Sequence, residues 1–473
     1  MRSFTSALVG AAVSAIVVSG SIAIAAIPDA TTKVITVCYK KTTGEMRVID
    51  KAAKGACNIK TENELAFNQQ GRQGDPGLPG IGIPGPKGDP GGPGVMSCEN
   101  ERSIKQTTPA FVLTPSCVIP PPATPPQILT AGGTHNCAVL PDTTVKCWGY
   151  NAYGQLGNGT NTDSGTPVTV AGIRGAIAVT TGAYHSCALL ANTTVKCWGL
   201  NSSGQLGDGT SNSSNLPVAV TGLSGATAIT GGYYHSCALL VGGTIKCWGW
   251  NGTGGLGDGT NVTSATPVAV AGLSGATSAS AGGDRTCALL TGGSVKCWGD
   301  NSSGGLGDGT SNSSNLPVAV TGLSGVTAIT GAYYHSCALL VGGTIKCWGL
   351  NADGELGNGT NTSSNVPVAV VGVTTATAVS GGEQQTCGLV SSGAAICWGS
   401  NAYGELGDGT NTSANTPSPV VGITNAILLT TGAHHSCVLL ADTTINCWGF
   451  NDQGRLGNGG STNSNIPVSV IGL

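Results

Sequence analysis

Charge is scarce in this chain. Charged residues make up 9% of its 473 positions, and the formal net charge is −3. With no basic field to attract phosphates, nucleic acid is excluded as a partner. Aromatic residues are also few, at 4% with only 4 Phe. Ser, Thr and Asn fill the polar positions that Lys and Glu would occupy in a helical protein. That composition excludes a mainly helical fold and suits short strands joined by turns. Catalytic signatures are missing too: there is no phosphate-cradling Gly-Lys-Ser/Thr loop and no Gly-x-Ser-x-Gly elbow. Carboxylates are few and scattered. These absences point to a protein that is not an enzyme and has no cofactor.

What the chain has in quantity is Gly, with 77 residues, and Cys, with 18. Fourteen of the cysteines obey a period of 50 residues that repeats seven times. The first of each pair stands at Cys137, Cys187, Cys237, Cys287, Cys337, Cys387 and Cys437. The second follows ten positions later, at Cys147, Cys197, Cys247, Cys297, Cys347, Cys397 and Cys447, and opens the tripeptide Cys-Trp-Gly. A fixed period of this length means an array of identical small units. From residue 217 one unit reads Pro-Val-Ala-Val, then Ala-Thr-Ala-Ile-Thr, then His-Ser-Cys-Ala-Leu-Leu, then Thr-Ile-Lys-Cys-Trp-Gly. A polar stretch from Asn251 to Thr266 leads to the next Pro. Four strands per unit with a polar loop is the pattern of a propeller blade.

The spacing also predicts disulfides. Folding the hairpin 237–247 about Gly242, with a three-residue loop, sets Leu240 opposite Thr244 and Cys237 opposite Cys247. Directly opposed side chains are close enough for a bridge. Metal sites favour Cys-x-x-Cys spacing instead, so no metal is expected. Each bridge closes a small loop and should contribute ~2–3 kcal/mol. So many paired cysteines imply an oxidising compartment.

The N-terminal part agrees with export. Arg2 precedes an apolar run from Ala7 to Ile27, and Ala23-Ile24-Ala25 offers a small-residue cleavage pattern. Residues 1–25 read as a secretory signal, with an uncleaved anchor as the alternative. Residues 28–70 form a small module, with strands at Val34–Val37 and Met46–Ile49 and a Cys38–Cys57 bridge supporting a minimal core. This segment resembles a short module found upstream of collagen-like stretches in secreted bacterial proteins. Residues 71–94 carry Gly at every third position with one register slip. They read either as a stiff spacer or as a stalk that would make a homotrimer. Residues 95–126 hold Cys98 and Cys117, expected to pair, and a Pro-rich linker.

The array occupies residues 127–473. Its runs His-Ser-Cys-Ala-Leu-Leu at 235–240, Cys-Trp-Gly-x-Asn-x-x-Gly-x-Leu-Gly-Asp-Gly-Thr at 247–260 and Pro-Val-x-Val at 267–270 recur, with substitutions, in all seven units. They resemble the repeat of the regulator of chromosome condensation family. The resemblance implies an all-β, seven-bladed β-propeller. Members of that superfamily include a nuclear guanine-nucleotide exchange factor, a plant ultraviolet receptor and a secreted inhibitor of β-lactamase. The uninterrupted spacing leaves no extra wedge for exchange activity. Seven of the eight Trp belong to Cys-Trp-Gly scaffold positions, which leaves no cluster for light sensing.

Two further expectations concern closure and recognition. The short turn Thr221–Gly225 favours pairing each Pro-Val strand with the strand after it. On that pairing the C-terminal strand Pro467–Val470 would complete the first blade and lock the ring. Around one face, the positions before each first Cys should gather Tyr184, His185, Tyr234, His235, Arg285, Tyr334, His335 and His435. They read as a recognition surface, while His could instead hold its turn through a backbone hydrogen bond. Asp208, Asp258, Asp308 and Asp408 alternate with Asn158, Asn358 and Asn458, which fits an Asx turn rather than a calcium loop. The expected function is a secreted or cell-surface binding protein for an extracellular protein or glycan. A regulator of an enzyme and a structural stalk-and-head protein are the alternatives.

Overall fold

A computed structural model describes residues 129–473 in full. It also describes the backbone of five strands nearer the N-terminus: Ala15–Val18, Ser21–Ile24, Val34–Lys40, Met46–Ile49 and Glu62–Asn68. The first two of these form a hairpin. Val34–Lys40 is the centre of a three-stranded antiparallel sheet, flanked by the expected Met46–Ile49 and by Glu62–Asn68, which the sequence reading did not foresee. The Cys38–Cys57 and Cys98–Cys117 bridges, the Gly-x-y segment 71–94 and the linker lie outside the described residues, as does most of the expected signal.

Residues 129–473 fold into seven four-stranded antiparallel sheets. In the third blade the strands are Ala226–Gly231, His235–Leu240, Ile245–Gly249 and Ser264–Ala269, in that order from the channel outward. The first strands of the blades line a central cavity of about 390 Å³. Cys237 stands opposite Cys247 with Cα atoms 4.0 Å apart, and all seven expected intrablade disulfides form. The Leu240 N–H donates to Thr244 at 2.8 Å, which makes the cysteine pair a non-hydrogen-bonded one, the closer kind.

The expected pairing of the Pro-Val strand is corrected. Ser264–Ala269 pairs with the preceding Cys-Trp-Gly strand, as Lys246 with Ala269 and Cys247 with Val268. The C-terminal strand Ser464–Ser469 likewise completes the seventh blade and not the first. The reason lies in the polar loop, which is compact rather than a loose crossing. In the second blade, buried Asn201 donates to Asp208 Oδ1 and to the carbonyls of Thr210 and Asn212, and its Oδ1 accepts from Leu206 N–H at 2.9 Å. That knot folds the loop back, so its two strands remain neighbours. Asp208 accepts from Thr210 N–H at 2.9 Å, an Asx turn. The outermost position also suits Pro267, because an edge strand needs no donor there.

The core lies between blades. Leu206 and Val220 of the second blade pack with Ile229, Ala238 and Trp248 of the third, and a similar cluster fills each other interface. Each scaffold Trp is fully buried and reaches back to the preceding blade, Trp248 Nε1 donating to the Gln205 carbonyl at 2.9 Å. The ring closes through the same contacts. Trp148 donates to the Arg455 carbonyl, and Leu129 and Ala138 pack on Leu439 and Leu456.

Candidate functional site

The turn between the first and second strand of each blade lies at one mouth of the channel. Immediately after it comes the position read as His135, His185, His235, Arg285, His335, Gln385 and His435. All seven side chains are buried. His185, His235, Arg285, His335 and His435 therefore lie beneath the face and not on it, which corrects the recognition role expected of them. Each links its blade to the next. His235 Nε2 meets Thr286 Oγ1 at 2.8 Å, and Thr286 Oγ1 donates to the Gly255 carbonyl at 3.0 Å. Thr286 has one proton and gives it to Gly255, so His235 must be the donor at Nε2. The same relay runs from His185 through Ser236 and from His335 through Thr386. At the seam, Asn136 replaces the hydroxyl, accepting from His435 at 2.9 Å and donating to the Arg455 carbonyl at 2.7 Å. Burial lowers His185 to about 3 and His235 to about 4, so both are neutral at physiological pH. The expected hydrogen bond to the backbone of the turn does not form: Nε2 meets a hydroxyl of the next blade instead, and Nδ1 has no partner among the described residues.

The tyrosines do reach the face. Tyr184, Tyr234 and Tyr334 are half-buried there. They are joined by four residues the sequence reading passed over: Tyr150, Tyr153, Tyr233 and Tyr333. Tyr153 is 39% exposed and packs edge-on against Tyr184, with ring centroids 5.5 Å apart. Tyr184 contacts Tyr233, Tyr233 contacts Tyr333 at 4.7 Å, and Tyr333 contacts Tyr334 at 4.2 Å. Seven rings thus run from the loop of the first blade to the fifth blade. The signal was present as the doublet Tyr-Tyr before His at 233–235 and 333–335. Its meaning depended on which blade tips face each other across the channel.

The far side of the same mouth combines charged groups with a second aromatic set, in which Tyr403 meets Phe450 at 4.6 Å and His434 at 5.7 Å. His434 lies between Glu383 and Glu405, at 3.5 and 3.7 Å. Burial raises both carboxyls and lowers the imidazole. Arg455 sits over the Phe450 ring at 4.7 Å. Among the described residues, no three His, Cys, Asp or Glu side chains come together as a metal set. The face can offer aromatic surfaces, phenol hydroxyls and carboxylates, which are groups for recognition.

The regulator of chromosome condensation repeat profile matches residues 144–189, 195–239, 243–289, 292–339, 343–389 and 392–439. A second profile of the same repeat matches five segments from 129 to 355. No curated protein sequence matches the chain. Among solved structures, Prp20p of Saccharomyces cerevisiae, described with its binding properties to Gsp1p and histones, superposes with a TM-score of 0.63 at 20% identity. That match covers 73% of this chain and 88% of Prp20p. Human WBSCR16 superposes with a TM-score of 0.60 at 23% identity, over 66% of this chain and 86% of that one. At these identities the likeness is one of fold. The repeat matches span most of the propeller, and the chain belongs to the regulator of chromosome condensation repeat family.

Proposed function

We propose that this chain is a secreted or cell-surface, non-catalytic binding protein that takes an extracellular protein or glycan on the tyrosine-bearing mouth of its propeller. The observation that carries the reading is the run of seven contacting tyrosines on one face of a rigid ring. Tyrosines combine large apolar area with a hydroxyl at low entropy cost, so they are efficient anchors. The seven intrablade disulfides support an oxidising location. The ring is held by interblade hydrogen bonds that leave the face preformed, which lowers the ordering cost of binding. Regulation of an enzyme, by exchange or inhibition, draws on family membership alone, and a family does not fix a function.

The test is capture from the surface and medium of the source cells with the full, oxidised chain, beside a Tyr184→Ala/Tyr234→Ala/Tyr334→Ala variant. Saturable capture of a single protein or glycan, at least tenfold weaker with the variant, is expected. Capture that the triple variant leaves unchanged would move the binding site off this face.

A further inference from the structure

The fourth blade interrupts the tyrosine run. Its tip reads Gly282-Gly283-Asp284-Arg285, where the third blade has Gly232-Tyr233-Tyr234-His235 and the fifth has Ala332-Tyr333-Tyr334-His335. The two glycines clear the space. Gly283 has φ +43, its carbonyl accepts from Tyr233 N–H at 2.9 Å, and a side chain at this position would collide with the Tyr333 backbone. The Tyr233 and Tyr333 rings consequently meet over the fourth blade, each backed by its neighbour, Tyr234 at 4.6 Å and Tyr334 at 4.2 Å.

Asp284 follows Gly283 at this tip, on the blade between the two tyrosine doublets. Its carboxylate has no hydrogen-bond or ion-pair partner among the described residues, and its Oδ1 is shielded from solvent. The adjacent Arg285 does not serve it. That guanidinium is turned into the fifth blade, to Ser336 Oγ at 3.1 Å, the Ala332 carbonyl at 2.9 Å and the His335 carbonyl. Burial, reinforced by the nearby Asp300, pushes the Asp284 carboxyl up to about 6. Burial, then a neighbouring phenol and Asp284 itself, raises both Tyr234 and Tyr333, so the carboxylate lies within electrostatic reach of both. Glu383 adds negative charge beyond Tyr333.

A half-buried carboxylate without a partner is costly. A ring face attracts a cation through its quadrupole, the more so when water is excluded. An anion would be repelled here, and a neutral sugar would leave the carboxylate uncompensated. We infer that the gap between the third and fifth blades is a cation-binding site, and that it takes the ammonium of a lysine or the guanidinium of an arginine presented by a partner protein. The ligand donates to Asp284 while its alkyl stem and charged head lie against Tyr234 and Tyr333. The inference rests on the binding-face reading above and chooses protein over glycan within it.

The experiment titrates the full, oxidised chain, isotope-labelled at tyrosine, with acetyl-Gly-Lys-Gly-amide and acetyl-Gly-Arg-Gly-amide, following the ring resonances. The same peptide bearing acetyl-lysine and a neutral glucose oligomer are the comparison probes. Saturable shifts at Tyr234 and Tyr333 with the cationic peptides are expected. They should weaken at least tenfold in Asp284→Asn, a near-isosteric change whose fold is checked by thermal melting, and vanish with acetyl-lysine. Equal shifts from acetyl-lysine or the glucose oligomer, or undiminished binding by Asp284→Asn, would overturn the cation site. So would silence from every probe. Each of those outcomes leaves the binding face standing if the Tyr184/Tyr234/Tyr334 variant still loses capture.

Discussion

At the scale of single residues, the scaffold tryptophan joins both the packing and the hydrogen bonding of the interblade seam. Trp248 is fully buried, packs among Leu206, Val220 and Ile229, and donates its only proton to the Gln205 carbonyl. Gly207 lies directly on that indole, and a Cβ there would sit 2.7 Å from Nε1 at a backbone φ of +69. Both the clash and the left-handed conformation oppose any side chain. Trp248→Ala should cost about 3–5 kcal/mol through cavity and hydrogen-bond loss. Gly207→Ala should cost on the order of 1–3 kcal/mol. Denaturant titration of each variant checks both figures, and a loss below ~0.5 kcal/mol for either would contradict this account of the seam.

At the scale of elements, the second strands of neighbouring blades are tied by the histidine relays. Five of these histidines are buried and neutral, with His135, His185 and His335 lowered to about 3 and His235 to about 4, and His435 well below its ordinary value. In the unfolded chain they titrate near 6.5. The unfolded state therefore binds more protons between about pH 6.5 and 4, and stability falls as pH falls through that window. Each histidine adds a slope of about 1.4 kcal/mol per pH unit. Asp284, Glu355, Glu383 and Glu405 carry raised carboxyls and act in the opposite sense, offsetting part of the loss. Melting temperature should drop steeply from pH 6.5 to 4. His235→Gln should show a shallower drop, because Gln385 already fills the equivalent position and donates to the Gly432 carbonyl at 3.1 Å. A variant profile parallel to the parent's would remove the histidines as its cause.

At the scale of the whole molecule, the ring closes without exchanging a strand between its ends. The seventh and first blades meet through Trp148, Asn136, His435 and the cluster around Leu439, at the same positions used at every other seam although Asn136 replaces a hydroxyl. The Lys146 ammonium also donates to the Gly472 carbonyl, holding the C-terminal residues beside the first blade. Closure is thus one of seven equivalent interfaces and not a special lock. A circular permutant opened in the turn 221–225, with residue 473 joined to residue 129 by a linker as long as that turn, should melt within a few degrees of the parent. Failure to fold would show that the natural seam is not interchangeable with the others.

Much of this architecture could be read along the chain. The period, the number of blades, the four strands of each and the seven Cys pairs follow from local register, because cysteines ten positions apart about a three-residue loop come directly opposite each other. The Asx turns at Asp208 and its equivalents are local in the same way. Three features needed the folded molecule. The partner of the Pro-Val strand depends on Asn201 knotting its loop, and loop length alone pointed the other way. The histidines proved to be interior because the hydroxyls they meet, such as Thr286, belong to the next blade. The junction of Tyr233 with Tyr333, and the unpaired Asp284 between them, exists only because radial packing brings the tips of the third and fifth blades together over two glycines. Contacts within a hairpin are set by spacing, whereas contacts between blades are set by which surfaces the closed ring brings face to face.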